Sequence, residues 1–110
     1  MKSINKSKKT VYTYTITNEI MNEIVYVGST SNPRKRFYAH KWRANNVNNN
    51  KCYQKYAFKP IHYHMAEFGI ENFSFSIVAD NNCEAELQEQ IKPLCCVKYE
   101  KCHKSYGDNV

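Results

Sequence analysis

The chain has 110 residues, in which 16 Lys and Arg outnumber 10 Asp and Glu to give a net charge of +6. A chain of this length builds one domain around one core, which excludes a catalytic domain joined to a separate recognition domain. The positive charge favours a polyanionic partner, although acidic proteins and membrane surfaces also suit a basic protein. The sequence has no stretch near the ~20 apolar residues of a membrane span and no apolar core of a secretory signal. We therefore expect a soluble, intracellular protein without a membrane partner.

The first predicted elements are a flexible arm and a β-hairpin. Residues 1–9 are rich in Lys, Ser and Asn, a composition that predicts a flexible basic arm. Residues 10–17 and 24–30 are β-branched, aromatic-rich runs that flank a polar connection. This pattern is typical of two antiparallel strands joined by a turn, so we expect Tyr14 and Tyr26 to lie on neighbouring strands.

A helix is predicted directly after the hairpin. Asn32 suits the N-cap and Pro33 suits the first helical position. Arg36 and His40 are four residues apart and therefore share one face of this helix. The asparagines of residues 45–50 favour turns, so we expect the helix to end before them. The hairpin and the helix together bring these two side chains close to the second strand.

A second helix is indicated at Pro60–Phe68, where apolar residues recur at helical spacing and Gly69 provides a stop. His62 and His64 are two residues apart and lie on different faces of it, which argues against a shared metal site. We interpret both histidines as surface or substrate-side groups.

A third strand and a last helix follow. Residues 73–78 read Phe, Ser, Phe, Ser, Ile and Val, which predicts a strand with one strongly apolar face. Residues 83–92 fit a helix whose inner face carries Leu87 and Ile91, and Pro93 limits its extension.

The order β-β-α-α-β-α predicts an α+β fold, with a small three-stranded antiparallel sheet flanked by helices. We expect this domain to span residues 10–92. Residues 93–110 form a C-terminal extension in which no helical or strand period is convincing.

Two motifs stand in the hairpin and the first helix. Tyr26-Val27-Gly28 is followed, ten residues after Tyr26, by Arg36, and His40 completes an R-x-x-x-H spacing. Upstream, Tyr12-Thr13-Tyr14 is followed by Thr-Ile-Thr-Asn.

A third segment, residues 64–78, contains a helix that ends at Gly and a strand that begins with Asn-Phe. With these segments in this order, residues 11–92 resemble the GIY-YIG nuclease family, although Tyr12-Thr13-Tyr14 stands where Gly-Ile-Tyr is usual in that family. The resemblance implies a stand-alone, metal-dependent DNA endonuclease in which water, activated by a tyrosine, attacks the phosphorus in line and leaves 5′-phosphate and 3′-hydroxyl ends. The substrate would be duplex, branched or damaged DNA, and the oligomeric state stays open.

The resemblance also implies the catalytic residues. Arg36 would bind phosphate oxygens through its planar, permanently charged fork. One of Tyr14 and Tyr26 would help to deprotonate the attacking water while the other orients water or phosphate. His40 would orient the base or contact phosphate. We expect DNA contacts from small and basic residues near the motifs, namely Gly28, Ser29, Arg34, Lys35, Lys41 and Arg43.

The implied cofactor is one Mg²⁺ or Mn²⁺ ion held by a glutamate of the last helix, because one carboxylate suffices for such an ion when waters and phosphate complete its shell. The usual family spacing would put Leu87, not a glutamate, at the ligand position. When a short deletion is allowed, Glu84-Ala-Glu-Leu-Gln-Glu89 fits best with Glu89 as the ligand, and Glu86 is the second choice. The alternative is a solvated acidic face.

Two other functions stay open from the sequence. A catalytically impaired nucleic-acid-binding module of the same fold would retain the basic surface without a competent metal carboxylate. A weaker hypothesis is a zinc-stabilised interaction domain, since Cys95, Cys96, Cys102 and His103 offer thiolate and imidazole ligands, although their spacing matches no familiar zinc motif.

Overall fold

A computed structural model of the protein describes residues 10–47 and 58–96. The elements in chain order are β1 (Tyr12–Asn18), β2 (Glu23–Thr30), α1 (Pro33–Asn45), α2 (Pro60–Phe68), a short 3₁₀ turn (Ile70–Asn72), β3 (Phe73–Ala79) and α3 (Glu84–Ile91). The basic arm predicted at residues 1–9, the segment at 48–57, and the Cys102 and His103 of the zinc hypothesis lie outside the described residues.

The three strands form one antiparallel sheet in the order β2-β1-β3. This arrangement confirms the predicted α+β fold and its β-β-α-α-β-α order. In the central strand, Tyr14 is paired with Gly28 of β2 and with Ile77 of β3. Because β1 is hydrogen-bonded on both sides, it is the strand that fixes the positions of the other two.

The turn between β1 and β2 is organised by Asn18. Its side-chain Oδ1 accepts hydrogen bonds from the backbone amides of Ile20, at 2.9 Å, and Met21, at 3.1 Å. Asn22 then takes the left-handed conformation with φ 56°, which asparagine tolerates better than most residues. Buried Asn18 also contacts His64 of α2 through its Nδ2, 3.1 Å from Nε2, so one residue both shapes the turn and anchors a helix.

Helix α1 begins as its sequence predicts. The Asn32 side chain accepts from the amide of Lys35 at 3.2 Å, and Pro33 occupies the first turn. The helix includes Asn45, the first of the asparagines before which it was expected to end, because Ala44 is buried against the core and holds the last turn in place. Helix α2 ends at Gly69, whose φ of 95° suits a residue without a Cβ.

The core lies between the sheet and the helices and contains Tyr14, Ile16, Ile61, Met65 and Phe73. The apolar face predicted for β3 is buried only at its Phe73 end, since Ile77, farther along this edge strand, is 49 % exposed. After α3 the chain turns back along the outer edge of β2, where the amide of Cys95 donates to the carbonyl oxygen of Val25 at 2.9 Å. Residues 93–96 therefore belong to the packed body.

The interpretation of His62 and His64 as surface groups was wrong. Both are buried, with 1 % and 3 % of their surface exposed. They do lie on different faces of α2, but each face packs against another element: His64 meets Asn18 and His62 meets His40. Within residues 10–47 and 58–96, no helix is both long and apolar enough to cross a membrane.

Candidate active site

The centre of the site is the pair formed by Tyr14 and Tyr26. Tyr14 lies opposite Gly28 and Tyr26 lies opposite Ile16, so the two tyrosines are diagonal neighbours on one face of the hairpin. Their ring centroids are 6.1 Å apart. Tyr14 is fully buried, whereas Tyr26 is partly exposed. The hairpin therefore presents Tyr26 to solvent and places Tyr14 behind it.

Gly28 makes room for this pair. A Cβ atom at this position would lie 2.6 Å from Tyr14 Oη and 2.9 Å from Tyr26 Cε2. Both distances are shorter than real carbon contacts allow, so any side chain at position 28 would displace the tyrosines. The absence of a side chain at Gly28 thus allows the rings of Tyr14 and Tyr26 to lie against the backbone of β2.

Helix α1 adds Arg36 and His40 to the site. Tyr14 Oη lies 2.7 Å from His40 Nε2, and the His40 ring packs edge-on against Tyr26 with centroids 5.3 Å apart. The Arg36 guanidinium donates from Nη1 to the carbonyl oxygen of Ser29 at 3.4 Å. Arg36 itself is exposed, so its charge lies at the mouth of the site, over the end of β2.

His40 is also bonded to a second histidine. Its Nδ1 lies 3.1 Å from His62 Nε2, and the backbone amide of Lys59 donates to His62 Nδ1 at 3.1 Å. His62 was not among the sequence-predicted site residues. It lies 22 positions from His40 in the chain, so no pattern of neighbouring residues in the sequence predicts this contact.

The acidic residue that the structure brings to the site is Glu84, in the first turn of α3. Ser29 Oγ donates to its Oε1 at 2.6 Å, and Gln88 Nε2 donates to its Oε2 at 3.0 Å. Gln88 also donates to the Val27 carbonyl oxygen at 3.0 Å, which ties α3 to β2. Beside this carboxylate is a cleft of about 260 Å³ lined by Tyr26, Lys59, Pro60, Glu84, Gln88, Cys95 and Cys96.

The sequence-predicted ligand Glu89 and the second choice Glu86 do not face β2 and the tyrosine pair as Glu84 does. Both are exposed on α3. At 100° per residue, Glu86 lies about 200° and Glu89 about 140° around the helix from Glu84, whereas Gln88 lies about 40° away. The signal for Glu84 was present in the sequence, because it is three residues before Leu87 on the predicted inner face.

Thr13 explains how α3 is placed. It stands where the first signature tripeptide would carry Ile, and its hydroxyl donates to the carbonyl oxygen of Asn81 at 2.6 Å. The same oxygen accepts from the amide of Cys83 at 2.9 Å. Through these two bonds the central strand holds the segment that leads directly into Glu84.

Burial is the largest influence on the pKa values of Tyr14, Tyr26 and His40. It raises the pKa of Tyr14 and the pKa of Tyr26 above the usual value of a phenol. Hydrogen bonding to Arg36 and Tyr26 opposes the rise at Tyr14, whereas the Glu84 charge adds to the rise at both tyrosines. Burial, helped by the positive charge of Arg36, lowers the pKa of His40 to about 3, so His40 is neutral at physiological pH.

The basic residues predicted to bind DNA fall into two groups. Arg43 lies seven residues after Arg36 on the same face of α1, and its charge contributes to the lowered pKa of His40. Arg34 and Lys35 are exposed away from that face, and Lys41 Nζ lies 5.6 Å from the Phe75 ring centroid. Lys59, which the sequence did not single out, lines the cleft beside Glu84.

The model of one protein family, the GIY-YIG catalytic domain, matches residues 10–93. The chain belongs to the GIY-YIG family. The match covers most of the 110 residues and confirms the resemblance seen in the motifs. Neither a comparison with curated proteins nor one with solved structures gave a match. GIY-YIG domains are nuclease domains, so the family indicates a hydrolase of phosphodiester bonds with a nucleic acid substrate and a general dependence on a divalent metal.

Two cysteines of this GIY-YIG domain, Cys95 and Cys96, pack in its interior. Cys95 and Cys96 are buried, and Cys96 Sγ lies 3.5 Å from the amide nitrogen of Val27. Burial raises the pKa of the Cys96 thiol, which disfavours the thiolate that zinc requires. Across residues 10–47 and 58–96, no group of three or more His, Cys, Asp or Glu side chains is arranged to hold a metal ion.

Proposed function

We propose that this protein is a metal-dependent DNA endonuclease that hydrolyses phosphodiester bonds by in-line attack of water, leaving 5′-phosphate and 3′-hydroxyl ends. The observation that carries the proposal is the convergence of five groups on one face of the hairpin. These are Tyr14, Tyr26, Arg36, His40 and Glu84, which come from β1, β2, α1 and α3.

Arg36 is the proposed phosphate-binding group. Phosphodiester hydrolysis adds negative charge to the oxygens around phosphorus, and a guanidinium can hold two of those oxygens at once. The bond from Arg36 to the Ser29 carbonyl oxygen uses only one of its five donors. The remaining donors can face a phosphate that approaches from solvent, since the side chain is exposed.

Tyr26 is the proposed base, and Tyr14 supports it. Only Tyr26 has access to solvent, so it is the tyrosine that an attacking water can reach. Tyr14 is fixed from behind by His40, whose Nε2 lies 2.7 Å from its hydroxyl oxygen. Burial raises the pKa of Tyr26, so its phenol is protonated at neutral pH and must first lose that proton to solvent. Positive charge nearby is then required to stabilise the phenolate, which accepts a proton from the attacking water.

Glu84 is the carboxylate we propose as the metal ligand, in place of the sequence-predicted Glu89. Two hydrogen bonds orient it beside Ser29 and Gln88, and one oriented carboxylate fits an Mg²⁺ or Mn²⁺ ion whose other ligands are waters and phosphate. The negative charge of Glu84 contributes to the raised pKa of both tyrosines. A divalent ion bound there would make the local charge positive and would lower both pKa values.

The decisive experiment is incubation of the purified protein with supercoiled plasmid and Mg²⁺ or Mn²⁺, with Arg36→Ala as the matched variant. We expect nicked DNA from the wild type, none in EDTA, and a loss of at least about 10²-fold in rate for the variant at saturating DNA. Treatment of the nicks with ligase tests the end chemistry, because ligation requires 5′-phosphate and 3′-hydroxyl ends. DNA binding without cleavage under either ion would instead favour the catalytically impaired module.

A further inference from the structure

A row of hydrogen bonds leads from the backbone to Tyr14. The amide of Lys59 bonds to His62 Nδ1 at 3.1 Å, His62 Nε2 lies 3.1 Å from His40 Nδ1, and His40 Nε2 lies 2.7 Å from Tyr14 Oη. His40 and His62 are both almost fully buried. Each ring nitrogen of both histidines therefore has a protein partner within hydrogen-bond distance.

The direction of every bond in this row follows from its first member. A backbone amide can only donate, so His62 Nδ1 must be the acceptor. A neutral imidazole has one N–H, so that hydrogen lies on His62 Nε2 and is donated to His40 Nδ1. The same reasoning puts the hydrogen of His40 on Nε2, which donates it to Tyr14 Oη. Burial lowers the pKa of His62 to about 3, as it does for His40, so neither ring carries a second proton near neutral pH.

We propose that His62 is a positioning residue that fixes the tautomer of His40, so that His40 donates to Tyr14 and the hydroxyl proton of Tyr14 is directed to Tyr26. His40 then cannot take the Tyr14 proton, because its only unprotonated nitrogen already accepts from His62. In this proposal Tyr14, whose ring centroid is 6.1 Å from that of Tyr26, donates its hydroxyl proton to the oxygen of the solvent-accessible tyrosine, where a hydrogen bond favours the phenolate. This inference rests on the proposed role of Tyr26 as the base.

The opposite face of the same helix provides a matched control. His64 is two residues from His62, is equally buried, and is bonded to Asn18 instead of to His40. His64→Leu and His62→Leu should therefore cost comparable stability, while only His62→Leu breaks the row. Conversely, His62→Gln keeps an acceptor oxygen for the Lys59 amide and an N–H donor for His40.

The test combines turnover with a direct measurement of tautomers. In long-range ¹H–¹⁵N NMR spectra of the metal-free protein, we expect both His40 and His62 to be protonated on Nε2 and unprotonated on Nδ1. In plasmid cleavage, kcat should fall at least about tenfold in His62→Leu and stay within about threefold in His62→Gln and His64→Leu. KM for DNA should change little in all three variants, because His62 lies behind the site.

An Nδ1-protonated His40 in the wild type, or a wild-type kcat in a folded His62→Leu variant, would overturn the inference. Thermal melting of each variant shows whether it is folded. If His62→Leu does not fold, the comparison is made between His62→Gln and the wild type. The NMR measurement needs no catalysis. A protein that does not cleave DNA would refute the proposed function while the spectra still decide the tautomers.

Discussion

Tyr14 lies across the backbone of Gly28, and its hydroxyl fills the space that a side chain at position 28 would need. A Cβ atom placed on Gly28 would be 2.6 Å from Tyr14 Oη. The tyrosine of the first tripeptide and the glycine of the second thus depend on each other through contact in the folded hairpin. This relationship gives a sharp test of whether the position of Tyr14 matters for catalysis.

We expect Gly28→Ala to lower kcat at least about tenfold and to destabilise the protein by about 1–3 kcal/mol, because the added methyl pushes Tyr14 away from His40. Gly69→Ala is the control. Its φ of 95° makes that substitution costly for stability as well, but Gly69 ends α2, away from the tyrosines. Cleavage rates and urea unfolding of both variants provide the measurement, and equal kcat values in the two would contradict the expected role of Gly28.

The three glutamates of α3 offer a comparison on one helix. Glu84→Gln should abolish cleavage in Mg²⁺ or Mn²⁺, because it removes the carboxylate charge while keeping the acceptor for Ser29. Glu86→Gln and Glu89→Gln should retain activity within about threefold, since both side chains are exposed on other faces of the helix. Metal titrations of the three variants decide the assignment. Loss of activity in Glu89→Gln alone would restore the ligand predicted from the sequence.

DNA affinity should fall steeply with salt, by a log-log slope of roughly −0.9 for each phosphate contacted. Arg43→Gln should reduce the magnitude of that slope by about 0.9, because Arg43 shares the face of α1 that carries Arg36. Lys92→Gln changes the net charge by the same amount, but Lys92 caps the far end of α3 and should leave the slope unchanged. Fluorescence anisotropy with a labelled duplex over a range of salt concentrations measures both. Binding that ignores salt would argue against phosphate contacts.

Stability should decline as the pH falls below about 6.5. The folded state keeps His40 and His62 neutral down to about pH 3, whereas an unfolded histidine takes up a proton near pH 6.5. Protons therefore bind preferentially to the unfolded chain between these values, and stability rises with pH across that window. The expected loss between pH 7 and pH 5 is about 2 kcal/mol per histidine.

Urea unfolding at several pH values measures this dependence, and His62→Gln removes one of the buried histidines whose pKa is lowered. The variant should therefore lose less stability than the wild type between pH 7 and pH 5. A wild-type stability that stays flat or increases over that interval would show that the histidines are not held neutral by burial.

The sequence predicted most of the fold because the relevant signals are local. The hairpin, the Asn32 cap and the Gly69 stop each depend on a few neighbouring residues, and all three are found where they were expected. The site was harder to predict, since Glu84 reaches Ser29 across 55 residues of chain. The sequence favoured Glu89 only by allowing a deletion in the family spacing, whereas the hydrogen bonds of Glu84 to Ser29 and of Gln88 to Val27 fix which side of α3 faces the hairpin.

The buried histidines show the other limit of sequence reasoning. A histidine in a helix is polar and is ordinarily assigned to the surface unless a partner is known. The partners here are a second histidine, a backbone amide and an asparagine from a turn. All of them become neighbours only after α2 packs against α1 and the sheet.

The long separation between Ser29 and Glu84 also has a consequence for the order in which the protein acquires its site during synthesis. A chain that emerges from the ribosome N-terminus first can form the hairpin and α1 early, because their contacts are local. At that stage the tyrosines and Arg36 are already together, but the acidic group is absent until α3 docks on β2. A partly made chain therefore lacks the carboxylate of the proposed metal site, so we expect no metal-dependent cleavage before α3 has docked on β2.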